Sequence, residues 1–78
     1  MPTLAISHTI DARGLSCPMP IVKTAQAVKG LVSGQLLEVL ATDAGSTKDF
    51  AAWCKTTGNE LVESSVEGGV YRFVLRRK

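Results

Sequence analysis

A nearly continuous apolar run, Leu36-Leu37-Glu38-Val39-Leu40-Ala41, constrains the fold of this chain more than any other segment. Such runs are typical of strands buried in the middle of a sheet, whereas a strand with one solvated face alternates apolar and polar residues. A chain of 78 residues has room for one modest core. The run therefore predicts the central strand of a single domain that spans residues 1–78.

The segment before this run predicts a first strand. Leu4, Ile6, His8 and Ile10 alternate with polar or small residues, which is the period of a strand. This alternation places His8 on the apolar side. A single histidine there is more often a hydrogen-bonded residue near a strand end than a catalytic base.

Two amphipathic helices are predicted, one before the central strand in the chain and one after it. The first begins near Ile21, and its apolar face comprises Ile21, Val22, Ala25, Val28 and Val32, with Thr24 pointing away. The second begins at Ser46, which with Asp49 resembles a capping box, and Gly58-Asn59 supplies its left-handed end. Its inner face comprises Phe50, Trp53, Cys54 and Thr57. Cys54 is therefore predicted to be a core thiol.

The last third of the chain predicts a hairpin. The strand-like runs 60–67 and 70–76 flank Gly68-Gly69, a good signal for a two-residue turn. Counting back from this turn gives the inward-facing pairs Val66 with Tyr71, Ser64 with Phe73 and Val62 with Leu75. The opposite face is mixed and includes Leu61, Glu63, Arg72 and Val74, with Glu63 and Arg72 as diagonal partners.

These elements together predict an α/β (α+β) two-layer sandwich in the order β-α-β-α-β-β. The first β-α-β unit implies parallel strands and the hairpin antiparallel ones, so the four-stranded sheet is mixed. Only one face of this sheet is strongly apolar, and both helices are expected to pack on it.

Composition excludes several classes of function. Hydrophobic residues make up 45% of the chain and charged residues 21%, as in a folded globular protein. The net charge of +2 is too small to indicate nucleic acid binding by itself. No stretch resembles a membrane span or a secretory signal, so we expect a cytoplasmic protein that does not bind membranes. Two cysteines and one histidine without ligand spacing predict neither a disulfide scaffold nor a metal site.

Cys17 lies in the run Gly14-Leu15-Ser16-Cys17-Pro18-Met19-Pro20, directly before the first helix. Proline restricts the residue before it and is tolerated in the first turn, so Cys17 is predicted to cap the helix. The positive end of the helix dipole favours a thiolate there, although the two prolines leave chiefly the Met19 and Ile21 amides as donors. Arg13 is either a nearby positive charge for the thiolate or an ordinary solvated arginine.

With Ile10-Asp11, Gly14 and Cys17-Pro18-Met19-Pro20 in place, the chain resembles the TusA/SirA family of small sulfur-carrier proteins. The resemblance implies a two-layer sandwich, no cofactor, and a Cys17 that carries sulfur as a persulfide, with Gly14, Pro18, Pro20 and Arg13 supporting it. It implies a cysteine desulfurase or rhodanese-like donor and a downstream protein thiol as acceptor. Some members have an acidic residue between the two prolines and paired aspartates after the second strand. Here these places hold Met19 and Thr42-Asp43-Ala44, which bears on the choice of partner and pathway.

The sequence also suggests two alternative functions. An activated, exposed Cys17 is also what a redox-sensing regulatory module needs. A small RNA-binding domain is indicated by Arg72 and the basic tail Arg76-Arg77-Lys78, but Tyr71 and Phe73 are predicted to face inward and so cannot stack on bases. A thioredoxin-like reductase is disfavoured because Pro20 stands where its second cysteine would be. The mixed outer sheet face predicts a monomer.

Overall fold

The computed structural model describes residues 6–16 and 18–78 and confirms the predicted sandwich. Its elements are β1 (Ile6–Ala12), α1 (Met19–Val28), β2 (Leu36–Ala41), α2 (Ser46–Thr57), β3 (Glu60–Glu67) and β4 (Val70–Arg76). The strands form one mixed sheet in the order β1-β2-β4-β3. The two helices contact each other and share one core with the sheet.

The central position of β2 is confirmed. It pairs in parallel with β1 and antiparallel with β4, so both of its edges are used. Leu37, Val39 and Ala41 are fully buried beneath the helices. Because β1 and β2 are parallel, the loops that follow them lie at the same end of the sheet, and this placement brings the candidate site together.

The apolar face predicted for α1 is partly wrong. Thr24, predicted to point away from the core, is fully buried, whereas Val22 is exposed and Val32 is 63% exposed. Thr24 Oγ1 donates a 2.8 Å hydrogen bond to the Pro20 carbonyl, which satisfies its hydroxyl and allows its burial. Val32 lies beyond the end of the helix, and Leu31 packs against the core instead.

The capping box predicted for α2 is wrong, although its inner face is confirmed. Gly45 is the N-cap, no side chain caps the helix, and Ser46 is a first-turn residue that is 1% exposed. Its Oγ has no hydrogen-bond partner among the described residues. Phe50 and Cys54 are buried as predicted, and Gly58, with φ of 82°, forms the left-handed end.

The hairpin turn is confirmed, but the pairing farther along it differs from the prediction. Gly68 and Gly69 both have positive φ, and Val66 pairs with Tyr71 as expected. A bulge between Leu61 and Glu63 makes Leu61 the partner of Leu75. One extra residue reverses the alternation, so Leu61 packs against the core and does not lie on the outer face.

The border strands β1 and β3 are more exposed to solvent than their alternation of apolar and polar residues predicts. Val66, at the hairpin end of the border strand β3, is 60% exposed. His8 lies on the helical side, beside Gln26 and Ala27, as predicted, but on the border strand β1 it remains exposed. No helix among residues 6–16 and 18–78 is long and apolar enough to cross a bilayer.

Charged residues cover the outer face of the sheet. Arg72 of β4 pairs with Glu38 of β2 and, at 2.7 Å, with Glu63 of β3, which confirms the predicted Glu63 partner. Thr9 of β1 donates a 3.1 Å hydrogen bond to Glu38, so the network crosses all four strands. Val74 pairs with Glu38 on one side and Glu63 on the other and is fully buried. Long charged side chains can cover apolar surface with their stems, which is consistent with an apolar residue on this face.

Candidate functional site

The loop between β1 and α1 contains the predicted site. Cys17, predicted as its reactive residue and as the helix cap, lies outside the described residues. Its neighbours Ser16 and Pro18 are both exposed, and Leu15 packs against the core. The loop is therefore anchored on one side by a partly buried leucine, while the residues on either side of Cys17 are exposed.

A hydrogen bond ties this loop to the one that follows β2. The main-chain N–H of Gly14 donates to Thr42 Oγ1 at 2.9 Å, and the N–H of Leu15 donates to the Ala12 carbonyl at 3.2 Å. Gly14 has φ of 80°, a conformation that favours glycine. Sequence reasoning missed Thr42 as an anchor, although its position directly after a strand parallel to β1 would have placed it beside the loop.

Arg13 is paired with Asp11. Its Nε and a terminal guanidinium nitrogen donate to the two carboxylate oxygens at 2.8 and 2.9 Å, and its main-chain N–H donates to Oδ1 at 3.1 Å. The hydrogen bonds from Arg13 lower the pKa of Asp11 to about 2, and the carboxylate in turn raises the pKa of Arg13. The Asp11 carboxylate therefore offsets the positive charge of Arg13, which one of the two interpretations of the sequence assigned to the Cys17 thiolate.

The start of α1 differs from the prediction by one residue. Pro18 is the N-cap, and Pro20 lies in the first turn as expected. The Met19 N–H donates to the Ser16 carbonyl at 2.9 Å, so it is not available to an anion. One of the two first-turn amides expected to serve a thiolate is therefore occupied, and the two prolines fix the backbone on the helix side of the loop.

Cys54 is the second candidate nucleophile, and its surroundings suppress reactivity. The thiol is free, 5% exposed and part of the core cluster. Burial raises the pKa of Cys54 to about 11. Because the thiolate is the reactive form, Cys54 is a structural residue, as predicted. The described residues contain no cluster of three or more histidine, cysteine or acidic side chains placed to bind a metal ion.

An apolar surface lies beside the loop at the start of α1. Met19 is 44% exposed, and Val22, one helical turn later, is also exposed. Positions three residues apart share a helix face, so the two side chains form one patch. A macromolecule that reaches the β1–α1 loop would meet this apolar patch.

The aromatic residues of β4 do not form a surface for bases. Phe73 is fully buried and stacks on Phe50 with ring centroids 4.6 Å apart. Tyr71 is half-buried, lies on the same face of β4 as Phe73, and stacks on the Phe73 ring. Recognition of RNA by a sheet requires solvent-facing aromatic rings, which these two residues do not supply.

Comparison with known proteins identifies the family of this chain. The family model for sulfurtransferase TusA matches residues 8–77. Sulfur carrier protein TusA of Allochromatium vinosum is 50% identical over 68 residues, which cover 87% of this chain and 90% of the relative. Sulfur carrier protein TusA of Pseudomonas aeruginosa is 38% identical over 76 residues, which cover 97% of this chain and 96% of the relative.

A solved structure shows the same architecture. The crystal structure of a SirA-like protein from Desulfitobacterium hafniense matches with a TM-score of 0.79 at 25% identity, covering 88% of this chain and 95% of that one. Sequence and fold thus lead to the same family. The chain belongs to the TusA/SirA family and has the role of a sulfur carrier, which works between sulfur donors and acceptors.

Proposed function

We propose that Cys17 is the residue on which this carrier holds sulfur, as a persulfide. The observation that carries the proposal is the state of the other cysteine. The chain has two cysteines, and Cys54 is buried with its pKa raised to about 11. A carrier that works through a cysteine therefore has Cys17 as its candidate.

The chemistry is a transfer between thiols. The Cys17 thiolate attacks the outer sulfur of a donor persulfide, a new S–S bond forms on Cys17, and the donor S–S bond breaks to release the donor thiolate. An acceptor thiolate then attacks the outer sulfur on Cys17 in the same way. Neither step consumes an external oxidant or reductant, and neither needs a cofactor or metal ion. One accessible thiolate is therefore sufficient.

The described part of the loop supports this role. The Gly14 hydrogen bond to Thr42, the Arg13 pair with Asp11, and the fixed φ angles of Pro18 and Pro20 restrict the backbone on both sides of Cys17. A restricted loop loses less entropy when it docks into a partner. We assign Gly14, Arg13, Pro18 and Pro20 as positioning residues and Cys17 as the reacting one.

We further propose a cytoplasmic monomer whose residues 1–78 act as one domain. Its donor is a cysteine desulfurase or a rhodanese-like protein, and its acceptor is a thiol of a downstream relay protein. The exposed Met19 lies beside the loop, so we propose that apolar contact contributes to partner choice. Nucleic acid is not a direct partner in this scheme.

Mass spectrometry tests the proposal. The protein is incubated with a cysteine desulfurase and cysteine, and the peptide that contains Cys17 is examined for one added sulfur atom. We expect the adduct in the wild type and in Cys54→Ala, which serves as the matched control, and its loss in Cys17→Ser. No adduct at Cys17, or an equal adduct in Cys17→Ser, overturns the proposal.

The same protein samples separate a carrier from a redox sensor. They are treated with peroxide and probed for sulfenic acid at Cys17. Reversible sulfenylation combined with no sulfur uptake from either donor class would assign Cys17 to redox sensing. Sulfur uptake followed by transfer to an acceptor thiol supports the carrier.

A further inference from the structure

We propose that a groove between the last turns of α1 and α2 binds an acidic segment of a partner protein that inserts one apolar side chain. The groove has a volume of about 380 Å³. Ala25, Val28 and the half-buried Trp53 line its apolar part, and Arg77 and Lys78 line its basic part. We call it the basic groove.

The basic residues are held in place by their main chains. The Gly34 N–H donates to the Arg77 carbonyl at 2.8 Å, and the Arg77 N–H donates to the Gln35 carbonyl at 2.9 Å. The Lys78 N–H donates to Asn59 Oδ1 at 2.9 Å, and Asn59 in turn donates to Thr57 Oγ1. The tail is therefore not frayed, and its side chains begin from fixed points on the groove.

Neither basic residue of the groove forms an ion pair with another described residue. Among the described residues, Arg13, Arg72 and Arg76 form ion pairs, whereas Arg77 and Lys78 have no carboxylate within 4 Å. The nearby sheet glutamates are already paired, Glu38 and Glu63 with Arg72 and Glu60 with Arg76. A negatively charged partner would therefore supply the first counter-charge that Arg77 meets.

The two cations differ in what surrounds them. The Lys78 side chain lies over Gly58, with Cδ 3.0 Å from the position that a Cβ there would occupy. Gly58 ends α2, so the Lys78 ammonium already compensates the negative end of the helix dipole. Arg77 has no such role, and its guanidinium can bind a carboxylate with two parallel hydrogen bonds. We therefore assign the main anion contact to Arg77.

The apolar part of the groove explains why the partner segment also needs an apolar residue. Trp53 of α2 lines the groove together with Ala25 and Val28 of α1, where the two helices contact each other. Aromatic surface in a pocket is a typical anchor point at protein interfaces. A run of carboxylates alone would leave this surface in water, whereas one leucine-sized side chain would cover it.

The groove lies far from the β1–α1 loop. α1 begins at Met19, beside that loop, and its two groove-lining residues, Ala25 and Val28, lie about 9 and 14 Å farther along the helix axis at 1.5 Å per residue. A partner bound in the groove can therefore hold the carrier while the loop stays accessible. This binding goes beyond the proposed function and does not depend on the chemistry of Cys17.

Trp53 is the only tryptophan of the chain, so its fluorescence reports directly on the groove. The probe is a blocked seven-residue peptide with one central leucine and three glutamates on each side, titrated into the Cys17→Ser protein. We expect a saturable change in Trp53 emission and an affinity that falls as salt is raised. Use of Cys17→Ser keeps this result separate from success or failure of sulfur transfer.

Charge-matched variants locate the contact. Arg77→Gln is expected to weaken binding about tenfold through loss of the ion pair, and Arg77→Lys, which keeps the charge but not the two parallel hydrogen bonds, to weaken it less. Lys48→Gln removes the same charge from the exposed side of α2 and is expected to change affinity less than about twofold. Retained binding by Arg77→Lys also shows that the tail remains folded.

Four outcomes overturn the proposal. They are no change in Trp53 emission with the peptide, equal weakening by Lys48→Gln and Arg77→Gln, equal binding of a peptide whose leucine is replaced by glycine, and tighter binding of a single-stranded RNA oligonucleotide. The last outcome would assign the groove to nucleic acid.

Discussion

The main-chain N–H of Gly14 and the side-chain hydroxyl of Thr42 are joined by a 2.9 Å hydrogen bond that links the loop after β1 to the loop after β2. The bond fixes the proposed sulfur-carrying loop to a residue 28 positions later in the chain. Because both loops follow parallel strands, the position of the loop depends on the sheet register and not only on its own prolines.

Replacing Thr42 tests this link. Thr42→Val keeps the shape of the side chain but removes the acceptor of the Gly14 N–H, so we expect a loss of about 0.5–1.5 kcal/mol in the free energy of unfolding. The looser loop is expected to slow sulfur uptake at Cys17. Urea titration measures the first effect and timed mass spectrometry the second. Thr42→Ser, which keeps the hydroxyl, should behave like the wild type, and equal effects of both variants would refute the link.

The Asp11 pair with Arg13 predicts a pH dependence below pH 4. The pKa of Asp11 is lowered from an ordinary 3.8 to about 2, so folding favours its charged form. A lowered folded-state pKa stabilises the protein above the unfolded value, and that stabilisation is lost as pH falls from about 4 to about 2. We expect the difference in unfolding free energy between wild type and Asp11→Asn to shrink across this range. A difference that stays constant from pH 6 to pH 2 would contradict the pairing.

The buried state of Cys54 predicts selective alkylation. With a pKa of about 11, only about one Cys54 in a thousand is a thiolate at pH 8, and the core blocks access to it. In Cys17→Ser protein, iodoacetamide should therefore label Cys54 in 8 M urea but not in native buffer. Rapid labelling of the native Cys17→Ser protein would show that Cys54 is reactive and would weaken the assignment of Cys17 as the sole carrier.

The outer-face network predicts unequal roles for two arginines of β4. Arg72 contacts both Glu38 and Glu63, and its hydrogen bond lowers the pKa of Glu38, which is mostly buried. Arg72→Gln leaves Glu38 without its ion-pair partner and should cost about 1–3 kcal/mol of stability. Arg76 forms one exposed pair with Glu60, so Arg76→Gln should cost less than about 1 kcal/mol. Urea denaturation of the two variants at the same salt compares them directly, and equal losses would argue against a special role for Arg72.

The register of the hairpin shows where local pattern stops predicting structure. Gly68-Gly69 determines the turn, and the pairs nearest to it follow by counting. The bulge before Glu63 has no signal in the local alternation, because both Leu61 and Val62 are apolar. The position of the bulge is decided by packing, because Leu61 packs against the core.

The candidate site likewise combines features that the sequence predicts with contacts that it does not predict. The run from Gly14 to Pro20 made the β1–α1 loop the candidate from the residues alone. Pairing of Arg13 with Asp11, loss of the Met19 amide to Ser16, and the contact with Thr42 could not be read from it. Each depends on backbone directions at the ends of β1 and β2.

The sequence by itself determined the order of the elements, the central place of β2, the hairpin turn and the family to which the chain belongs, because each of these follows from periodicity or from motifs of neighbouring residues. Only the tertiary structure decided which face of α1 is buried, which residue pairs with Leu75, what holds the loop beside Cys17, and that Arg77 meets Trp53 in one groove. These features are contacts between residues far apart in the chain, and their free energy depends on packing and register that no local pattern encodes.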